Sequence, residues 1–310
     1  MQILHGADAA GGLQNGFVSI GNFDGVHRGH QCMIAALTRN AALRGGPAVI
    51  FTFDPHPIAL LRPGQSPPPL STTERKLELL SRTGIDGVIV YPTDQALLKL
   101  SPREFFEQIV VGQLHARGLV EGPNFFFGHD RAGNIETLRE FCAAARMELE
   151  IISPVSVEDR LVSSTEIRRL IAAGQVRDAS ELLGYTYSIS GTVVRGAERG
   201  RTIGFPTANL EGIRTVVPRD GVYAGKTQVG SAWFPAGINI GPNPTFADQE
   251  RKVEVHLIGY AGDLYGSRIA VEFLGRLRDT VRFNGVEQLK SQVAADIEQA
   301  RALAKADAAR

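Results

Sequence analysis

Cysteine is almost missing from this chain of 310 residues, which has only Cys32 and Cys142, far apart in sequence. Neither belongs to a CxxC or CxxH pair, which argues against a zinc site and against a disulfide framework. Net charge is missing too: Lys plus Arg and Asp plus Glu both number 33. A balanced chain lacks the broad basic footprint of a nucleic-acid-binding protein. No uninterrupted apolar run approaches the roughly 20 residues that cross a bilayer. The N-terminus, MQILHGADAAGG, has no basic stretch followed by an apolar one, as a signal peptide would. Internal repeats and low-complexity tracts are also lacking. These absences lead to the expectation of a cytoplasmic protein with no nucleic-acid partner and no membrane partner. They leave oligomeric state open.

What is present is an ordinary globular composition, 43% hydrophobic and 21% charged, and enough length for two domains. Up to about residue 180, strand and helix signals alternate. Phe17–Ile20, Ala48–Phe53, Gly87–Tyr91, Leu119–Gly122 and Leu149–Ile152 read as strands, and Ala48–Phe53 is a continuous apolar run. Continuous rather than alternating hydrophobicity marks parallel strands covered on both faces. Helix starts stand between them, the plainest being Ser101-Pro102-Arg103-Glu104, with an N-cap serine, proline at the first helical position and glutamate at the third. The pattern predicts a doubly wound parallel sheet, with ligands beyond the carboxyl ends of its strands.

At one such end lies GNFDGVHRGH, Gly21–His30. His27 and His30, three apart where a strand hands over to a helix, share one face of the first turn. A helix N-terminus offers free N–H groups and a positive dipole end to phosphate. Gly21, Gly25 and Gly29 let the backbone approach a ligand closely. The competing reading is a glycine-rich turn with two solvated histidines. The stretch resembles the HxGH nucleotidyltransferases, whose paired histidines bind the triphosphate and stabilise charge as a nucleotidyl group moves. That resemblance makes Gly21, Phe23 and Gly29 nucleotide contacts.

Other strand ends carry weaker signals. Asp54-Pro55-His56-Pro57 either lines the crevice or is a rigid turn. Asn124 heads Phe125-Phe126-Phe127-Gly128, which is either core or a platform for a flat ring. In Ser163-Ser164-Thr165-Glu166-Ile167-Arg168, Ser164 or Thr165 caps a helix, and hydroxyls with a guanidinium at a helix start suit a nucleotide phosphate. This run resembles the second HxGH signature.

From Leu183-Gly184-Tyr185 onward, helices give way to short strands broken by glycine: Tyr187–Val194, Gly221–Val229, Trp233–Ile240, Val253–Gly259 and Arg268–Leu277. This predicts a small β-barrel or sandwich. The tail from Gly285 to Ala306 reads as an amphipathic helix, with Val286, Leu289, Val293, Ile297 and Ala300 on one stripe. Gly196, Gly200 and Gly204 lie on a loop able to present N–H groups to phosphate. Pro206 fixes the backbone before Thr207 and Asn209, which are two apart and point to one side. A hydroxyl and an amide oxygen are hard ligands suited to Mg²⁺ carrying a nucleotide. Glu254 shares the outer face of its strand with His256, as a solvated charge or as a general base. Gly221–Thr227 is no P-loop: three residues rather than four separate its glycines.

Taken together, GNFDGVHRGH, TFDPHP, the Asn124–Gly133 stretch, VSSTEIR, GRTIGFPTAN, GVYAG, NIGPNPTF, the Glu254–His256 pair and Asp263–Gly266 resemble the bacterial bifunctional riboflavin kinase/FMN adenylyltransferase family, the FAD synthetases, over essentially the whole chain. The resemblance implies an adenylyltransferase domain over 1–184 and a riboflavin kinase domain, a small barrel with a C-terminal helix, over 185–310. Riboflavin, FMN, FAD and ATP are the implied substrates and products, with ATP as co-substrate and Mg²⁺ as cofactor. His27, His30 and Glu254 are the implied catalytic residues, and Thr207 and Asn209 the metal ligands. Asn124, Ser163, Ser164, Thr165, Arg168, Gly196, Gly200, Gly204 and Pro206 surround nucleotide and phosphate. Phe126 departs from the family, where relatives often carry a polar or basic residue. Two rivals are a class I aminoacyl-tRNA synthetase fragment and a non-catalytic flavin binder. The first predicts a basic surface, and the second predicts lost motif residues.

Overall fold

The computed structural model describes residues 1–6, 10–196, 200, 203–243 and 248–309. It divides into two compact units, Met1–Pro67 with Ser71–Ser163, and Pro68–Leu70 with Ser164–Arg310.

The first unit is built on a six-stranded, wholly parallel sheet. Its strands are β1 (Gln2–His5), β2 (Phe17–Ile20), β3 (Ala48–Asp54), β4 (Gly87–Pro92), β5 (Gly118–Glu121) and β6 (Glu148–Ile151), in the spatial order β1-β4-β3-β2-β5-β6. All four residues of β2 are buried, including Val18 and Ile20. Such burial contributes about 1.5–3 kcal/mol per large aliphatic side chain. The order reverses between β2 and β5, the switch point at which open α/β sheets bind ligands. Helix α1 (Arg28–Arg44) follows β2 and buries Ile34, Ala36 and Leu37. Later helices are α2 (Pro57–Leu61), α3 (Thr73–Ser81), α4 (Gln95–Lys99), α5 (Pro102–Phe105) and α6 (Ile135–Ala144). Ser101 and Glu104 form the expected capping box at α5, which runs on through wider π turns to Gln113. Strand β1, an exposed four-residue edge, carried no sequence signal.

A short hairpin, β7 (Ser156–Val157) and β8 (Arg160–Leu161), completes the first unit. The second opens with α7 (Ser164–Ala172) and α8 (Val176–Leu183). Its centre is a closed antiparallel barrel of β9 (Ser188–Val194), β10 (Ala208–Glu211), β11 (Gly221–Val229), β12 (Ala232–Asn243), β13 (Asp248–Leu257) and β14 (Arg268–Arg278), ordered β10-β13-β12-β11-β14-β9. Alternation along the strands fills the interior with apolar groups such as Ile238, Val255, Val271 and Phe273. Helix α9 (Val286–Ala308) packs Ile297 and Ala300 against Ala224 and Ile258. Val286, at the head of the expected stripe, is exposed. Asp296, buried on α9, accepts the Arg278 guanidinium of β14 through both oxygens at 2.8–3.1 Å.

Candidate active sites

In the first unit, the chain leaves β2 through Gly21, whose N–H donates to Phe51 O, and turns sharply. Phe23, Gly25 and Val26 all take positive φ (48°, 76° and 37°). Two of these are side-chain-bearing residues in a region that favours glycine. The loop is held by buried Asp24, whose Oδ1 accepts from the N–H and hydroxyl of Ser71 (3.1 and 3.4 Å), while Ser71 Oγ accepts from Gly25 N–H (3.0 Å). Thr52 Oγ1 donates to Asn22 O at 3.2 Å.

The loop delivers His27 to the N-cap of α1, where its Nδ1 accepts from His30 N–H at 3.4 Å. The two imidazoles stack, and the Phe23 ring lies 5.0 Å from that of His30. A side chain at Gly29 would begin 3.3 Å from the His27 ring, so glycine leaves that ring its place. Burial, with the charges of His27 and Lys76, holds His30 well below the usual histidine range, so its ring is neutral at pH 7. His30 Nδ1 is sealed from solvent and has no hydrogen-bond partner among the described residues.

Glu121, at the end of β5, is buried, and its Oε1 accepts from Ile20 N–H at 2.7 Å. The β2–β5 register pairs Phe17 with Gly118 and Val18 with Leu119 only. The carboxyl therefore bridges the strands where the ladder stops. Burial pushes Glu121 well above the usual carboxylate range. Neither Glu121 nor Lys76 stood out in the sequence: one reads as the polar end of a strand, the other as a helix charge.

Asn124 is exposed on the turn after β5. Phe127 is buried and stacks on Phe125, whereas Phe126 is 45% exposed with the Arg131 guanidinium 4.6 Å above its ring. The aromatic run thus divides into core and surface. His56 caps α2, its Nδ1 accepting from Ile58 N–H, and Asp54 accepts from the Thr73 hydroxyl. Ser163 ends the first unit. Ser164 and Thr165 open α7 in the second, where Arg168 Nε donates to Pro68 O.

In the second unit, the site residues lie on the outside of the barrel. Val253, Val255 and Leu257 point inward, leaving Glu254 and His256 on the outer face. Register places Asn209 of β10 and Asn239 of β12 on either side of Glu254. Asn239 Nδ2 donates to Glu254 Oε2 at 3.5 Å. Asn239 was legible only as part of NIGPNPTF, whose Pro244, Thr245 and Phe246 lie outside the described residues. His256 Nδ1 lies 2.7 Å from Pro206 O, an acceptor only, so that nitrogen carries the proton.

The glycines of the preceding loop are places of close approach. A Cβ on Gly196 would fall 2.2 Å from Asn209 Nδ2. One on Gly200 would fall 2.4 Å from Phe205 O and 3.3 Å from Thr207 Oγ1. Gly204 takes φ 92°. Residues 197–199 and 201–202 of this loop lie outside the described set.

No helix among the described residues is long and apolar enough to cross a membrane. A family model described as FAD synthetase matches residues 12–166, and one described as riboflavin kinase matches residues 183–304. The bifunctional riboflavin kinase/FMN adenylyltransferase of Pseudomonas fluorescens is 37% identical over 312 residues, covering 100% of both chains. That of Escherichia coli K12 is 36% identical over 280 residues, covering 90% of each. A solved structure described as a macrolide-efflux protein from Streptococcus pneumoniae aligns with a TM-score of 0.87 and 32% identity, over 97% of this chain and 99% of that one. The chain belongs to the bifunctional riboflavin kinase/FMN adenylyltransferases, with a FAD synthetase domain toward its N-terminus and a riboflavin kinase domain toward its C-terminus.

Proposed function

We propose that the chain makes FAD from riboflavin in two ATP-dependent steps at separate sites, the functional boundary falling at residues 184/185. The observation that carries the residue assignment is the alignment of Asn209, Glu254 and Asn239 on three neighbouring strands of the barrel's outer face. There the 5′-hydroxyl of riboflavin attacks the γ-phosphate of ATP, and Glu254 takes the hydroxyl proton as general base. Gly196, Gly200 and Gly204 bring the loop backbone to the phosphates, and Pro206 sets the extended start of the segment.

Among the described residues, no group of three or more His, Cys, Asp or Glu could hold a metal by itself. Two hard oxygen donors, seated where loop glycines leave room for them, fit a cation that arrives on the nucleotide. Thr207 and Asn209 would hold Mg²⁺, which when bound supplies charge neutralisation on the phosphate oxygens.

In the proposed N-terminal domain, residues 1–184, the FMN phosphate attacks the α-phosphate of a second ATP, giving FAD and pyrophosphate. The nucleophile is already an anion and needs no base, so catalysis rests on positioning and charge stabilisation. His27 and His30 take that role, with Gly21, Phe23 and Gly29 as nucleotide contacts. Asn124, Ser163, Ser164, Thr165 and Arg168 enter the proposal on sequence resemblance alone. The two free cysteines fit a cytoplasmic location. The test is to incubate the protein with riboflavin, ATP and Mg²⁺ and separate the flavins. FMN and FAD are both expected, and riboflavin alone would overturn the reading.

A further inference from the structure

We propose that Lys76 is a phosphate-binding residue of the adenylyltransferase site, its ammonium taking a phosphoryl oxygen of a bound substrate. The inference rests on the adenylyltransferase reading above. Lys76 lies in the first turn of α3, only 7% exposed, at the carboxyl end of the sheet. Among the described residues its one hydrogen bond runs to Thr52 Oγ1, at 3.2 Å. An ammonium has three protons to donate, so two have no partner where water scarcely reaches. Thr52 in turn donates to Asn22 O, which ties Lys76 to the loop that carries the histidines.

The surrounding charges make the same point. Asp24 and Asp54 are near enough to favour the charged amine, against the burial that opposes it. Both carboxylates already have donors of their own, Asp24 from Ser71 and Asp54 from the Thr73 hydroxyl. Lys76 also acts electrostatically on His30, which stands at the positive end of α1. Lys76 and the N-terminus of α1 thus act on the same place, beside Asp24 and Asp54, and an incoming phosphate gives the two unpartnered ammonium protons acceptors through charge-assisted hydrogen bonds. The oxygen belongs either to FMN or to the ATP triphosphate, and kinetics separates the two.

The experiment compares Lys76→Met with the parent full chain. Expected is a ~10- to 100-fold loss in kcat/KM for FMN adenylylation, the effect of one charged hydrogen bond. Riboflavin phosphorylation by the same preparation should stay within about twofold of the parent. A raised KM for FMN assigns the contact to the FMN phosphate. A raised KM for ATP, with weakened product inhibition by pyrophosphate, assigns it to the triphosphate. Unchanged adenylylation overturns the proposal. So does a loss that leaves both KM values and pyrophosphate inhibition untouched, because a mere counter-charge to Asp24 and Asp54 would behave in that way. Should Lys76→Met fail to fold, the ¹⁵Nζ signal of Lys76 in the parent must move when pyrophosphate is added, and a stationary signal overturns the proposal. A parent that makes no FAD from FMN and ATP is a separate result, and it sinks the adenylyltransferase reading itself.

Discussion

The imidazoles of His27 and His30 lie face to face, 3.6 Å between ring centroids and 14° from parallel. Because His27 Nδ1 accepts from the His30 N–H, His27 in its neutral form carries its proton on Nε2. One ring therefore presents a fixed donor, and the other is braced against it. His30→Ala is expected to cost ~10²–10³ in the rate of FMN conversion to FAD, as for loss of one charge-stabilising group. Riboflavin phosphorylation by the same variant should be unchanged, which separation of the flavin products will show.

The depressed titration of His30 has a stability consequence. An unfolded chain binds a proton there below about pH 6.5, while the folded site resists it. The unfolded state then holds more protons, so this group's contribution to stability falls as pH drops below that value. His30→Gln should flatten that part of the pH–stability curve, measured by urea unfolding between pH 5 and 7.

At the barrel site, Gly196→Ala is expected to displace the Asn209 amide, since the new methyl would sit 2.2 Å from Nδ2. Misplacing a ligand by about 1 Å costs roughly 10²-fold in rate. Thr207→Ala should abolish FMN formation. Both variants should still adenylylate FMN supplied in the assay, and loss of both activities in a folded variant would count against separate sites.

Glu121 offers a test of opposite sign to His30. Its carboxyl, raised by burial, keeps its proton in the fold while the unfolded chain ionises above about pH 4.3. Stability is therefore lost as pH rises from there toward the folded value. Glu121→Gln, which keeps an acceptor for Ile20 N–H, should be more stable than the parent at pH 7–8, with the gap closing below about pH 4. Glu121→Ala leaves that N–H unmet and should cost about 1–3 kcal/mol throughout.

The two thiols should differ sharply. Burial and the neighbouring Glu121 push Cys142 up to about 11, while Cys32 is exposed. Iodoacetamide at pH 8 should label Cys32 alone in the folded protein, read by peptide mass spectrometry.

Much of the fold was legible because its signals are local. Ala48–Phe53 is an uninterrupted apolar run, and the structure extends it only to Asp54. Ser101, Pro102 and Glu104 state their own helix start. Glu254 alternates with valines, and the face it occupies follows from that alternation. Strand β1 escaped because an exposed edge of four residues shows neither alternation nor a buried run. Lys76 and Glu121 escaped for another reason. A lysine and a glutamate read as solvated until three dimensions place Thr52 beside one and Ile20 beside the other. Asn239 needed the register of β12 against β13 to bring it to Glu254. Family membership was carried by GFPTAN together with the HxGH stretch, and both family models bear it out.

The outward placement of Glu254 and Asn209 has a practical consequence. The barrel's interior is filled by residues such as Ile238, Val255 and Phe273, none of which belongs to the proposed chemistry. Packing and catalysis are therefore written on alternate letters of the same strands. An engineer seeking a hardier kinase could rebuild every inward letter, conserving total volume, and leave every outward one as it stands.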